Sequence, residues 1–167
     1  MTRPFYRGVY PADVAIARHK HHRQYAPCMI IINTDNDGQE GEHWLVFFYQ
    51  TKDHLDVFDP LGKAPYTYPN LTDFFNSHSI GCIMFNSRQV QSLISNLCGA
   101  HCLFYCCKRC EVKDGRMKSM KTIISKYYST NVDYNDCMVL NYINKKFPIG
   151  STTIKGLYNT TYKCKLA

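Results

Sequence analysis

Apolar and polar positions follow two regimes along the chain. Between Cys28 and Phe85 the apolar residues come in short runs: Cys28–Ile32, His43–Tyr49, His54–Phe58 and Ile80–Phe85. Their lengths and their β-branched or aromatic content predict strands. Asn33 to Gly38 is rich in turn formers, Gln50 to Asp53 fits a four-residue hairpin loop, and Asp59–Pro60–Leu61–Gly62 ends the third strand in a turn. Leu71 to Ser77 predicts a short helix.

From Ser95 the spacing changes. Cys98, Cys102 and Cys106 recur every four residues, with Leu103, Phe104, Tyr105 and Cys107 between them, which predicts an apolar helix running to Cys110. A second helix is expected over Met117–Tyr128, with Met120, Ile123, Ile124 and Tyr127 on one face. A third is expected over Asn135–Lys146, carrying Met138, Val139, Tyr142 and Ile143. Asp114–Gly115 and Phe147–Pro148 mark their boundaries. Tyr6–Tyr25 is polar and aromatic without a clear period, and the tail after Gly150 reads as irregular. Strands followed by helices predict an α+β fold with the strands clustered around the middle of the chain.

Composition narrows the class. The 167 residues suit one domain, 1–167, and apolar content is ordinary for a folded protein. No apolar run is long enough for a membrane span, so no membrane partner is expected. Nine cysteines, five of them between Cys98 and Cys110, form an odd set in a chain without a signal peptide, which favours a reducing compartment. The formal charge of +7 is compatible with an anionic partner. The basic clusters Arg18–Arg23, Lys108–Arg109, Lys113–Lys121 and Lys145–Lys146 read first as a solvated face, because no nucleic-acid-binding signature or phosphate loop accompanies them.

Four residues carry candidate chemistry. Cys98 precedes Gly99 at the start of the apolar helix, where unbonded amides and the positive helix end favour a thiolate and the glycine leaves room for a substrate backbone. A buried, inert thiol is the plainer alternative. His43 opens the second strand and can serve as general base, or sit at the surface beside a core strand. Asp59 ends the next strand and can orient the imidazole if the two strands pair; otherwise it is a turn acceptor before Pro60. Gln91, seven residues before Cys98, can donate to an oxyanion together with the Cys98 backbone N–H, or face solvent. Cys107 and Cys110, with His101 nearby, have a metal-ligand spacing, but they lie in an apolar helical stretch without a second ligand pair, so no metal is expected.

These residues lie within motifs that resemble the adenovirus endopeptidase (adenain) family, in the wider clan of SUMO and ubiquitin-like-protein proteases. Tyr6–Arg7–Gly8–Val9–Tyr10 is similar to the family's opening, Ile32–Asn33–Thr34 follows, and Gly41–Glu42–His43–Trp44 resembles its His-Trp motif. Val57–Phe58–Asp59–Pro60–Leu61–Gly62 resembles the acidic-residue segment, with aspartate as in the SUMO-protease branch. The block Gln91, Ser95, Cys98, Gly99 and Cys102 resembles the oxyanion glutamine and nucleophile. The resemblance covers residues 6 to 110.

What it implies is a papain-like, adenain-like cysteine protease fold, in which a central helix carrying the nucleophile packs against a mixed sheet. His43, Asp59, Cys98 and Gln91 would be catalytic, and Trp44 and Gly99 would flank the substrate cleft. The expected activity is thiol-dependent cleavage of viral or virus-like capsid and core precursors after small-residue sites, by a monomer in the virion and host nucleus. The source would be an adenovirus-like virus or a Maverick/Polinton-type element. No cofactor is expected for the chemistry. Activation by DNA or by a peptide is a further implication, although no cysteine lies between Asp59 and Gly81 to bind a peptide covalently, Cys82 being the next. Two other functions are open at this point: an isopeptidase acting on SUMO or ubiquitin conjugates, and a basic DNA-binding structural protein without catalysis.

Overall fold

The structure, a computed structural model, describes residues 5–77, 80–113 and 116–148. The elements follow in the order β1 (Phe5–Tyr10), α1 (Ala12–Ala17), α2 (His19–Gln24), β2 (Cys28–Asn33), β3 (Trp44–Thr51), β4 (His54–Phe58), a 3-10 turn (Pro65–Thr67) and α3 (Pro69–Asn76). After these come β5 (Cys82–Phe85), α4 (Cys98–Cys110), the short pair β6 (Val112–Lys113) and β7 (Arg116–Met117), α5 (Met120–Tyr127) and α6 (Val132–Lys146).

Strands β1 to β5 form one mixed sheet in sequence order. The β1–β2 and β4–β5 pairs are parallel, and β2–β3 and β3–β4 are antiparallel. Each parallel connection carries helices: α1 and α2 between β1 and β2, α3 between β4 and β5. This covers one sheet face, while α4, α5 and α6 cover the other. Both faces being covered, β2 needs apolar residues on each, which is why Cys28–Met29–Ile30–Ile31–Ile32 is a continuous run instead of an alternating one. Met29, Ile31, Val46, Phe48 and Phe58 point toward α4 to α6. Cys28, Ile30, Ile32, Leu45, Phe47, Tyr49, Leu55 and Val57 point toward α1 and α3.

Helix α4 packs at the centre of its layer, against β3, α5 and α6. Tyr105 stacks flat on Phe58 with centroids 4.3 Å apart, and Cys102, Phe104 and Cys106 fill the same core. At its far end the guanidinium of Arg109 is buried over the Phe48 ring and donates to Oδ2 of Asp56 at 2.7 Å and to the Lys118 carbonyl. Ser119 caps α5 and Asn131 caps α6, each accepting from a backbone N–H three residues on.

Several boundaries differ from those expected. The 50–53 hairpin is tighter, because β3 continues to Thr51. The second helix begins at Met120 instead of Met117, which pairs in β7. The third begins three residues earlier, at Val132. The largest difference is in residues 6–25, which form β1, α1 and α2. The basic run there is not wholly solvated: the i, i+3 spacing turns His19 and His22 of α2 into the protein interior, where His19 Nδ1 lies 3.1 Å from the Tyr49 hydroxyl. Arg109 likewise leaves the expected basic face for its buried bond to Asp56. Among the described residues Cys28, Cys82, Cys98, Cys102, Cys106 and Cys107 are free thiols, and Cys137 is disulfide-bonded. Among the described residues no helix is long and apolar enough to cross a membrane. The irregular tail expected after Gly150 lies outside the described residues.

Candidate functional site

The site is assembled where β3 begins, β4 ends and α4 begins. His43 immediately precedes β3, and Asp59 immediately follows β4. The antiparallel pairing of Val46 with Phe58 therefore brings the two ends side by side. Nε2 of His43 lies 2.7 Å from Oδ1 of Asp59. The other ring nitrogen, Nδ1, is left for another partner, and Cys98 lines the same cavity as the ring. Cys98 is the first residue of α4. One turn later the buried Cys102 thiol donates to the Trp44 carbonyl at 3.3 Å, tying α4 to the residue next to His43.

The carboxylate of Asp59 is fully buried and four donors converge on it. Oδ1 accepts from His43 and from the Leu61 amide at 2.7 Å. Oδ2 accepts from the Tyr68 hydroxyl at 2.6 Å and the Lys63 amide at 3.1 Å. Asn86 holds the backbone of the same residue, accepting from its N–H at 2.8 Å and donating to its carbonyl at 2.7 Å. An ionised carboxylate in the interior requires such a set of donors. The turn that follows closes with the Gly62 amide on the Asp59 carbonyl, and Gly62 takes the left-handed conformation, φ +68°.

Burial by itself would lower the affinity of His43 for a proton. The hydrogen bond and charge of Asp59, with the neighbouring Cys98 side chain, outweigh it and raise its pKa to about 9. Burial pushes the Cys102 and Cys106 thiols well above the ordinary range, so the rest of the cysteine stripe is held protonated.

Gln91 is buried in the segment between β5 and α4. The Pro60 carbonyl accepts from both the Val90 and Gln91 amides, at 2.9 and 3.1 Å, which hangs this segment on the turn after Asp59. Its side-chain Nε2 donates to the Ser95 carbonyl at 2.9 Å, leaving the second amide hydrogen for another acceptor. His43, Tyr68, Gln91 and Cys98 line one cavity of about 320 Å³, with Glu42 and Lys63 among its charged residues.

Of the six residues singled out from the sequence, His43, Gln91 and Cys98 are therefore brought together around this cavity, with Asp59 buried behind His43. Trp44 is half-buried and packs against the core on the α4 side of the sheet. Gly99 is buried in the first turn of α4. Neither lines the cavity. Tyr68 and Asn86 were not foreseen; both act through Asp59, and neither stands at a spacing from it that a pattern would reveal. Among the described residues no group of three or more His, Cys, Asp or Glu side chains is arranged to hold a metal ion. The chemistry available is thus a thiol beside an imidazole, a carboxylate behind that imidazole, and amide donors near the thiol. No protein-family profile matches the chain, and no curated protein sequence does.

Proposed function

We propose that the protein is a cysteine endopeptidase of the adenain-like type, whose fold is the papain-like arrangement of a nucleophile-bearing central helix against a mixed sheet. The observation that carries this reading is the relay Asp59, His43, Cys98 at the first residue of α4, with Gln91 lining the same cavity.

His43 takes the Cys98 proton on Nδ1, and Asp59 stabilises the resulting imidazolium through Nε2. The thiolate attacks the scissile carbonyl, forming a C–S bond as the carbonyl π pair moves to oxygen. That oxyanion is met by the free amide hydrogen of Gln91 and by the Cys98 backbone N–H, one of the amides that a helix start leaves unbonded. His43 returns its proton to the amine as the C–N bond breaks. Water then gives a proton to Nδ1 and adds to the thioester, and collapse of the second tetrahedral species expels the thiolate and releases the acid.

The proposed substrates are capsid or core precursors of a virus or virus-like element, cut during maturation in the virion and host nucleus. DNA or a peptide is proposed as an activator. The test is covalent labelling by a peptidyl electrophile under reducing conditions, followed by digestion and mass spectrometry. Cys98 should be modified in the wild type and much more slowly in His43→Ala. No modification of Cys98 would refute the enzyme reading and leave a basic structural protein. Cleavage of ubiquitin-like conjugates but not of capsid precursors would move the substrate class to isopeptide bonds.

A further inference from the structure

Gln91 lies in a stretch without regular secondary structure, yet the backbone on both sides of it is held from one helix. Nδ2 of Asn135 donates at 3.0 Å to the carbonyl of Val90, the residue before it. Oδ1 of Asp136 accepts at 3.4 Å from the amide of Ser92, the residue after it. Both side chains are buried near the start of α6. Asn135 is anchored in turn by Ser129, donating to its carbonyl at 2.9 Å and accepting from its amide at 2.8 Å. The same Oδ1 of Asp136 lies 2.8 Å from Nε2 of His101, a fully buried residue one turn beyond Cys98. The His101 ring stacks on Tyr128, whose hydroxyl is 3.4 Å from Nδ1.

Apolar side chains would fill this volume without any polar partner. Hydrogen bonds add direction, and directional bonds can fix the register of a loop that no ladder holds. Through Asp136 the start of α6 is joined both to the Gln91 segment and to the helix bearing Cys98. We propose that Asn135 and Asp136, with His101, are positioning residues that set the Gln91 amide at its working distance from the Cys98 sulfur. This rests on the endopeptidase reading above.

The test uses Asn135→Ala and Asp136→Ala in the full chain, with Cys82→Ser to remove an exposed thiol. On a peptide that the wild type cleaves, kcat should fall roughly ten- to a hundredfold, with KM little changed. Affinity for a peptide aldehyde, whose thiol adduct carries the same oxyanion, should fall by the same factor. Alkylation of Cys98 by iodoacetamide forms no oxyanion, so its rate should stay at the wild-type value. In a Gln91→Ala background the two substitutions should cost nothing further in kcat. Asp136→Asn keeps an accepting oxygen and should recover most of the activity. If an alanine variant does not fold, Asn135→Asp carries the test, because it keeps the size and the bond from Ser129 but cannot donate to Val90. Losses that multiply with Gln91→Ala, or an equal loss in alkylation, would overturn the positioning role while leaving the endopeptidase reading intact. A wild type that cleaves no peptide and takes up no aldehyde would remove both.

Discussion

The hydroxyl of Tyr68 donates to Oδ2 of Asp59 at 2.6 Å, opposite the oxygen that faces His43. Its ring is also stacked on the His43 imidazole, with centroids 5.7 Å apart. One side chain from the start of α3 thus contacts both the carboxylate and the imidazole. Tyr68→Phe keeps the stacking and removes the donor. It should cost about 1–2 kcal/mol in urea unfolding, since the bond is to a charged acceptor. Cleavage should slow by roughly tenfold, equivalent to about 1.4 kcal/mol in the barrier. Wild-type kinetics in this variant would mean that the other donors hold Asp59 unaided.

The raised pKa of His43 sets a pH window. Its folded value of about 9 lies above the ordinary 6.5, so folding favours the protonated ring. That contribution to stability is fully present below about 6.5 and is lost as the pH rises through about 9. In Asp59→Asn the burial stays and the carboxylate goes, so the pKa should fall. The difference in thermal midpoint between wild type and this variant should shrink between those two pH values. The alkaline limb of the cleavage profile should lie near 9 in the wild type and move to lower pH in the variant. A midpoint difference that is constant across the window would contradict the assignment.

Arg109 and Asp56 tie the end of α4 to β4 through a 2.7 Å buried bond. Asp56→Ala leaves the guanidinium buried beside Phe48 without its counter-charge, and should destabilise by about 3–5 kcal/mol. The double change Asp56→Leu with Arg109→Met removes both charges and should recover much of that loss. Urea denaturation of the three variants checks the order. Equal losses in the single and double variants would show that packing, not charge, decides the cost.

Gly62 connects the turn to the Gln91 segment. A Cβ on it would stand 2.6 Å from the backbone of both Arg88 and Gln89, and its φ of +68° disfavours any side chain. Gly62→Ala should therefore push the 88–91 backbone away. We expect about 1–3 kcal/mol of lost stability and a kcat that falls more than the rate of Cys98 alkylation by iodoacetamide. A loss confined to stability would mean that the segment moves without carrying Gln91 out of place.

How much of this the sequence discloses depends on the kind of information involved. The central strands and α4 were legible because Cys28–Ile32 is apolar throughout, as a strand covered on both faces must be, and because Cys98, Cys102 and Cys106 with Leu103, Phe104 and Tyr105 carry an apolar helical spacing within the segment itself. The ends of α5 and α6 were blurred because their caps, Ser119 and Asn131, sit in polar stretches with several equivalent candidates. β1, α1 and α2 were missed because their burial is tertiary: His19 and His22 look like surface charge until Tyr49 and Phe74 are brought beside them. In the candidate site, His43, Asp59, Gln91 and Cys98 stood out by residue type and order. Tyr68, Asn86, Asn135 and Asp136 did not, since each acts through a partner between 9 and 45 positions away.

The Pro60 carbonyl, which accepts from Val90 and Gln91 together, makes the turn after Asp59 common property of the Asp59–His43 pair and the Gln91 segment. A fluctuation that opens this turn releases the Asp59 and Gln91 backbones together, so on the proposed reading the opened state would lose both contributions at once. On the proposed reading, the free energy of that local opening would set the fraction of molecules competent to react. Hydrogen exchange at the Val90 and Gln91 amides should report that fraction directly, tracking residual activity in denaturant concentrations too low to unfold the sheet.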